Sequence, residues 1–127
     1  MTKNHHLKIL QYVIGSAIII EGADKFFNLL VDWKIYAAPE ILELWPFSTG
    51  QFLITLGISE IIIGVILILS VRLGGMLVAG LMAGITLNLL LLGNFYNMIL
   101  LNIIIGLTSL FLHPMSLPDN SSDEQAL

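Results

Sequence analysis

The chain has 127 residues, enough for one domain or one small helical bundle. Only 11% of them are charged and 57% are hydrophobic, with a mean hydropathy of +0.93; soluble domains carry about 25% charged residues, so too few polar side chains are present to cover a soluble surface. This excludes a soluble enzyme and a disordered chain, the five Lys and Arg argue against a nucleic-acid partner, and the lack of cysteine excludes disulfides, thiol nucleophiles and Cys-ligated metal.

Four apolar spans are predicted, each reaching or approaching the roughly 20 residues that cross about 30 Å of hydrocarbon. The first runs from Leu7 to near Leu30, apolar through Ile20 and charged beyond it. Its basic start and apolar stretch resemble a signal peptide. However, Glu21, Asp24 and Lys25 continue at helical spacing and no small-x-small cleavage site follows, so the segment is expected to be retained. Trp33, Tyr36, Trp45 and Phe47 come next, as aromatic rings at a membrane interface do. Pro39 to Trp45 reads as amphipathic turns lying on the membrane, with Pro39 in the first turn.

Ser48 and Gln51 form a capping-box pattern opening the second span, Thr49 to Val71, which Glu60 interrupts. Arg72 to Gly75 is expected to be a tight turn into the third span, Leu73 to Leu92. Gly93 as C-cap and Asn94 as N-cap separate it from the fourth, Asn97 to Leu112. His113 and Pro114 are expected to end that helix, leaving 114–127 as a disordered acidic tail after a transmembrane domain over 1–113. The expected fold class is all-α: an integral membrane four-helix bundle with a short interfacial helix after the first span. Both termini then share a side. Lys3, Lys8 and Arg72 against Lys34 and Lys25 favour that side as the cytoplasmic one.

At 1.5 Å per residue, polar groups can be placed by depth. Glu60 falls near the middle of span two, and Glu21 about 4 Å to the first-loop side of the midplane. Lys25 and Asn28 lie further out on span one, with Asn88 and Asn102 in the same half on spans three and four. Helical spacing puts Glu21, Lys25 and Asn28 on one face, and Leu53, Gly57, Glu60 and Gly64 on another. Gly80, Gly84 and Asn88 align on span three, and Asn102, Gly106 and Ser109 on span four. Small residues beside polar ones mark faces where membrane helices meet. The expectation is a polar pocket opening toward the first loop, with Glu21, Lys25, Asn28, Glu60, Asn88 and Asn102 as its ligand or proton-exchange cluster.

Glu60 leads this set, because an acidic side chain at a helix centre costs about 2.5–3.5 kcal/mol and is functional by default. Its structural alternative is a hydrogen bond that joins helices. Glu21 and Lys25 form an i, i+4 pair that stabilises a helix with or without a site. Asp24 is expected to face headgroups, with capping of this network as its alternative, and Asn88 and Asn102 to act as interhelical glue. The Gly80–Gly84 pair reads as packing, and Met76, Met82 and Met98 as apolar filling. His5, His6 and His113 fall on the terminal side, where a two-histidine haem or metal site is the minor alternative; no metal site and no catalytic residue set is assigned.

Gly15, Gly22, Lys25, Phe26 and Asn28 on span one, with Gly57, Glu60 and Gly64 on span two, resemble the DoxX-like membrane proteins across about residues 7 to 113. These are small four-helix bacterial proteins, linked to thiosulfate:quinone oxidoreductase and to membrane-associated oxidative-stress complexes. The resemblance implies a bacterial cytoplasmic membrane and marks Gly22, Lys25 and Glu60. Direct thiol chemistry is out of reach for a chain without cysteine. Three functional expectations follow. The first is an accessory or quinone-interacting subunit of a membrane redox system, with electrons supplied by a partner enzyme and no enzyme activity by this chain alone. The second is a proton or solute carrier, which requires a homo-oligomer because the chain has no inverted repeat. The third is a structural or assembly protein.

Overall fold

A computed structural model describes residues 3–116, and among these every regular element is helical. The order is α1 (Lys3–Phe27), a 3-10 turn (Trp33–Tyr36), α2 (Pro39–Glu43), α3 (Thr49–Leu69), α4 (Val71–Leu92) and α5 (Tyr96–Ser116). Three of these, α3, α4 and α5, are long and apolar enough to cross a membrane. The charges of α1 set it apart, although it has 25 residues. The tail expected over 114–127 lies beyond the described residues from 117 onward.

Local chemistry explains most of the boundaries. Ser48 accepts from the Gln51 N–H while the Gln51 side chain accepts from the Ser48 N–H, a complete capping box at the start of α3. Gly93 closes α4 in the left-handed conformation, φ 70°. Pro39 sits in the first turn of α2 behind the buried N-cap Ala38.

Three boundaries differ from the expectation. The α3–α4 connection is the single residue Ser70, not a turn over Arg72–Gly75. Ser70 closes α3 through its N–H to Ile66 and opens α4 by accepting from the Leu73 N–H. Gly74 and Gly75 lie inside α4, where the bare backbone meets Leu67 and the Ser109 carbonyl. At the next connection, Phe95 rather than Asn94 precedes α5; its φ of 64° is unusual for a side chain with a Cβ, and its ring packs 4.7 Å from that of Tyr36. Finally, α5 runs through Pro114 to Ser116, because a proline in a last turn forfeits only one backbone bond.

The long helices pack as two close pairs, α1 with α3 and α4 with α5, joined by α3–α4 contacts and more lightly by α1–α5. The antiparallel α1–α3 pair is set by glycine. A Cβ on Gly22 would stand 2.6 Å from the Gly57 carbonyl, and one on Gly64 would stand 2.7 Å from the Gly15 carbonyl. Such bare faces are what allow helix backbones to approach. A cluster of Ile14, Ile18, Leu67, Val78, Met82 and Leu112 fills the half of the bundle near Ser70. There the Gln11 amide donates to the carbonyls of Leu67 and Ile68, at 2.7 and 3.0 Å, which the end of α3 leaves without helical partners.

Candidate functional site

The other half of the bundle begins where α1 ends. Asn28 takes φ 48° and stops the helix, a conformation asparagine tolerates better than most residues. Asp24 then gathers the chain that follows. Its carboxylate accepts the N–H groups of Leu29, Leu30 and Val31 at 2.9–3.3 Å and the indole N–H of Trp33 at 2.8 Å. Asp24 is therefore buried and occupied by the first loop, not turned to headgroups.

This clamp lays the Trp33 ring over Lys25, whose Nζ is 3.7 Å from the ring centre. On its other side the ammonium donates to Glu60 Oε2 at 2.7 Å, and it stands 3.6 Å from Glu21 Oε1. The Lys25 and Glu60 side chains are 2% and 1% exposed, whereas Glu21 is 39% exposed. Glycine makes the pair reachable: a Cβ on Gly22 would lie 2.9 Å from the Glu60 Cβ, and one on Gly57 would lie 3.2 Å from the Lys25 Cβ. Two carboxylates thus share one ammonium. Glu60 Oε1 is buried with no hydrogen-bond partner.

These groups stand on the wall of a cavity of about 770 Å³. All four long helices and the first loop contribute to it, including Trp33, Tyr36 and Ile41 from the loop. Most of the wall is aliphatic. Gly80 and Gly84, read from the sequence as packing residues, face open space: a Cβ on either would meet nothing within 4 Å, and both line the cavity. They widen the site where Gly74 and Gly75 tighten the core.

The cavity brings together Glu21, Lys25, Glu60, Asn88 and Asn102. Asn28 is not among its lining residues; although it shares a helical face with Lys25, it is the exposed terminator of α1. Asn88 is glue, but to the loop and not to a helix. Its Oδ1 accepts from the Ala38 N–H at 2.8 Å and its amide donates to the Tyr36 carbonyl. Asn102 lines the wall with neither its oxygen nor its nitrogen bonded within the described residues.

The roles of Asp24 and Trp33 carry no signal in the sequence, since the donors that hold Asp24 are mostly loop backbone. The alignment of Gly80 and Gly84 with Asn88 does put all three on one face, and that face lines the cavity instead of packing against a helix. No cluster of three His, Asp or Glu side chains that could hold a metal ion occurs among the described residues. In comparisons with known proteins, no family model, curated protein or solved structure matches the chain.

Proposed function

We propose that the chain is a multi-pass integral membrane protein, a four-helix bundle whose cavity binds a largely apolar molecule with a polar head. Its outer surface supports the membrane setting. Ile54, Ile58, Ile62, Leu69, Leu90, Leu100 and Ile104 are all exposed, and such a surface calls for hydrocarbon as solvent. Outward hydroxyls suit the same solvent, since Thr55 and Ser59 each donate to a carbonyl one turn back, at 2.8 and 2.9 Å. Lys8 and Arg72 at the terminal end favour cytoplasmic termini.

Within that setting the chain acts as a quinone-interacting accessory subunit of a membrane redox system, the role suggested by its resemblance to DoxX-like proteins. The observation that carries the reading is the buried Lys25–Glu60 pair on the wall of an aliphatic cavity. Ligand sites are mostly apolar, with a few placed polar groups to orient the occupant. A quinone ring and tail fit the aliphatic wall, while the unbonded Asn102 amide offers a donor to a carbonyl of its head. When bound, a quinone supplies two-electron, two-proton redox capacity; the chain's own residues bind and orient it.

The test is Glu60→Gln in native membranes. The reading predicts a folded protein that has lost quinone-dependent activity and no longer retains quinone on purification in mild detergent. Proton uptake by liposomes holding only this protein would point instead to a carrier. Equal loss of folded protein in Glu60→Gln, Lys25→Met and Asn88→Leu would point to a scaffold.

A further inference from the structure

We infer that the cavity is loaded sideways from the lipid phase, through gaps between the two helix pairs, so that it takes an occupant dissolved in the bilayer and lets its tail trail out among the acyl chains. This rests on the reading of the cavity as a ligand site and names the phase that supplies its ligand.

The cavity is a slot. Helix α1 packs closely on α3, and α4 on α5, while the aliphatic cluster joins the two pairs in the half near Ser70. In the other half all four helices line the space between the pairs. A slot between two layers has two long edges, and here both edges carry residues that line the cavity and also face outward. Ile20 of α1 and Leu101 of α5 flank one edge; Leu56 of α3 and Leu87 of α4 flank the other. Ile20, Leu87 and Leu101 are each more than half exposed. Gly80 and Gly84 are exposed as well, with no side chain to fill the gap beside them. At 1.5 Å per residue, Ile20, Leu87 and Leu101 lie about 8–10 Å inside the ends of their helices, a depth that hydrocarbon surrounds in a bilayer.

The end under the first loop is built differently. Val31, Trp33, Tyr36, Ala37 and Ile41 of the loop line the cavity, whereas its charged residues, Asp32, Lys34, Glu40 and Glu43, are exposed and none of them lines it. The 3-10 turn touches both α3 and α4, and Asp24 and Asn88 hold the loop by its main chain. An occupant entering at this end must displace a bonded loop, and at the Ser70 end it meets the packed cluster. At an edge it passes only exposed aliphatic side chains, which change rotamer freely. That route also never brings its apolar surface into water. A tail longer than the cavity stays in the bilayer, so the site sets no upper limit on tail length.

The experiment uses the full chain in phosphatidylcholine vesicles, with Gly84→Cys as its only thiol. Two maleimides are compared, one on a long alkyl chain and dissolved in the bilayer, the other sulfonated and supplied in the water on both sides. Each rate is referred to an outside position that its own phase reaches, Ile104→Cys for the alkyl reagent and Lys34→Cys for the sulfonated one. Lateral loading predicts that the alkyl reagent modifies Gly84→Cys as readily as Ile104→Cys. The sulfonated reagent should modify Gly84→Cys about tenfold or more slowly than Lys34→Cys. Narrowing both edges with Ile20→Trp, Leu87→Trp and Leu101→Trp should slow the alkyl reagent at Gly84→Cys about tenfold and leave Ile104→Cys unchanged. If that variant does not fold, the two reagents on Gly84→Cys alone decide. The sulfonated reagent reaching Gly84→Cys as readily as Lys34→Cys would mean entry past the loop and overturn lateral loading, as would an alkyl rate unchanged by the narrowed edges. Alkyl labelling that a saturating, fully ring-substituted quinone fails to slow would overturn the ligand site while leaving the lateral openings in place.

Discussion

Helix α4 passes through two regions that use the same residue in opposite ways. Near Ser70, Gly74 and Gly75 are contacts, one against the Leu67 backbone and one against the Ser109 carbonyl. Farther along, Gly80 and Gly84 border a cavity and touch nothing where a Cβ would be. The first region is sealed by an aliphatic cluster and by Gln11 on the end of α3. The second is walled by a buried ion pair and partly covered by a loop that Asp24 and Asn88 hold down. A closed half gives the bundle its register, and that register carries Glu60 to Lys25 in the open half.

Substitutions can break this contrast. The largest effect is expected from Lys25→Met, which leaves Glu60 buried without its cation and should destabilise the fold by about 3–5 kcal/mol. Denaturant unfolding in detergent measures it, and a loss close to zero would mean that water reaches the pair.

Gly74→Ala or Gly75→Ala should follow, costing about 1–3 kcal/mol because a methyl group must displace backbone. Asp24→Ala removes the acceptor for three backbone N–H groups and one indole, and should cost about 1.5–3 kcal/mol. Its specific sign is a changed Trp33 emission in a Trp45→Phe background, since the indole loses its anchor over Lys25.

The smallest effect sharpens the comparison by having the opposite sign. Gly80→Ala or Gly84→Ala should be neutral or stabilising by up to about 1 kcal/mol, the helix-propensity gain of alanine over glycine. The same melting experiment on all four glycine variants therefore divides α4 at one point, between Gly75 and Gly80.

Helical periodicity made the seams legible. Gly57, Glu60 and Gly64 do share the buried face of α3, and Gly22 lies opposite them on α1. The capping box at Ser48 and the terminator at Gly93 follow from side-chain chemistry within a few residues. Features that depend on what lies across the bundle were not legible. A glycine pair such as Gly74–Gly75 looks the same in sequence whether it turns the chain or receives a neighbouring backbone. Asn28 keeps the spacing of a site residue, but the helix stops at that residue. Asp24 looks like a surface charge because most of its donors are main-chain groups of Leu29 to Val31, which carry no signature in the sequence.

The central claim is an accessible cavity beside the Lys25–Glu60 pair, and a chain without cysteine lets single thiols report on it. Gly84→Cys and Val78→Cys sit on one helix, the first on the cavity wall and the second in the sealed half. With a small membrane-permeant maleimide, Gly84→Cys should be alkylated readily and slowed by a saturating, fully ring-substituted quinone, while Val78→Cys should stay unmodified. Equal rates at the two positions, with no protection at Gly84→Cys, would contradict the account.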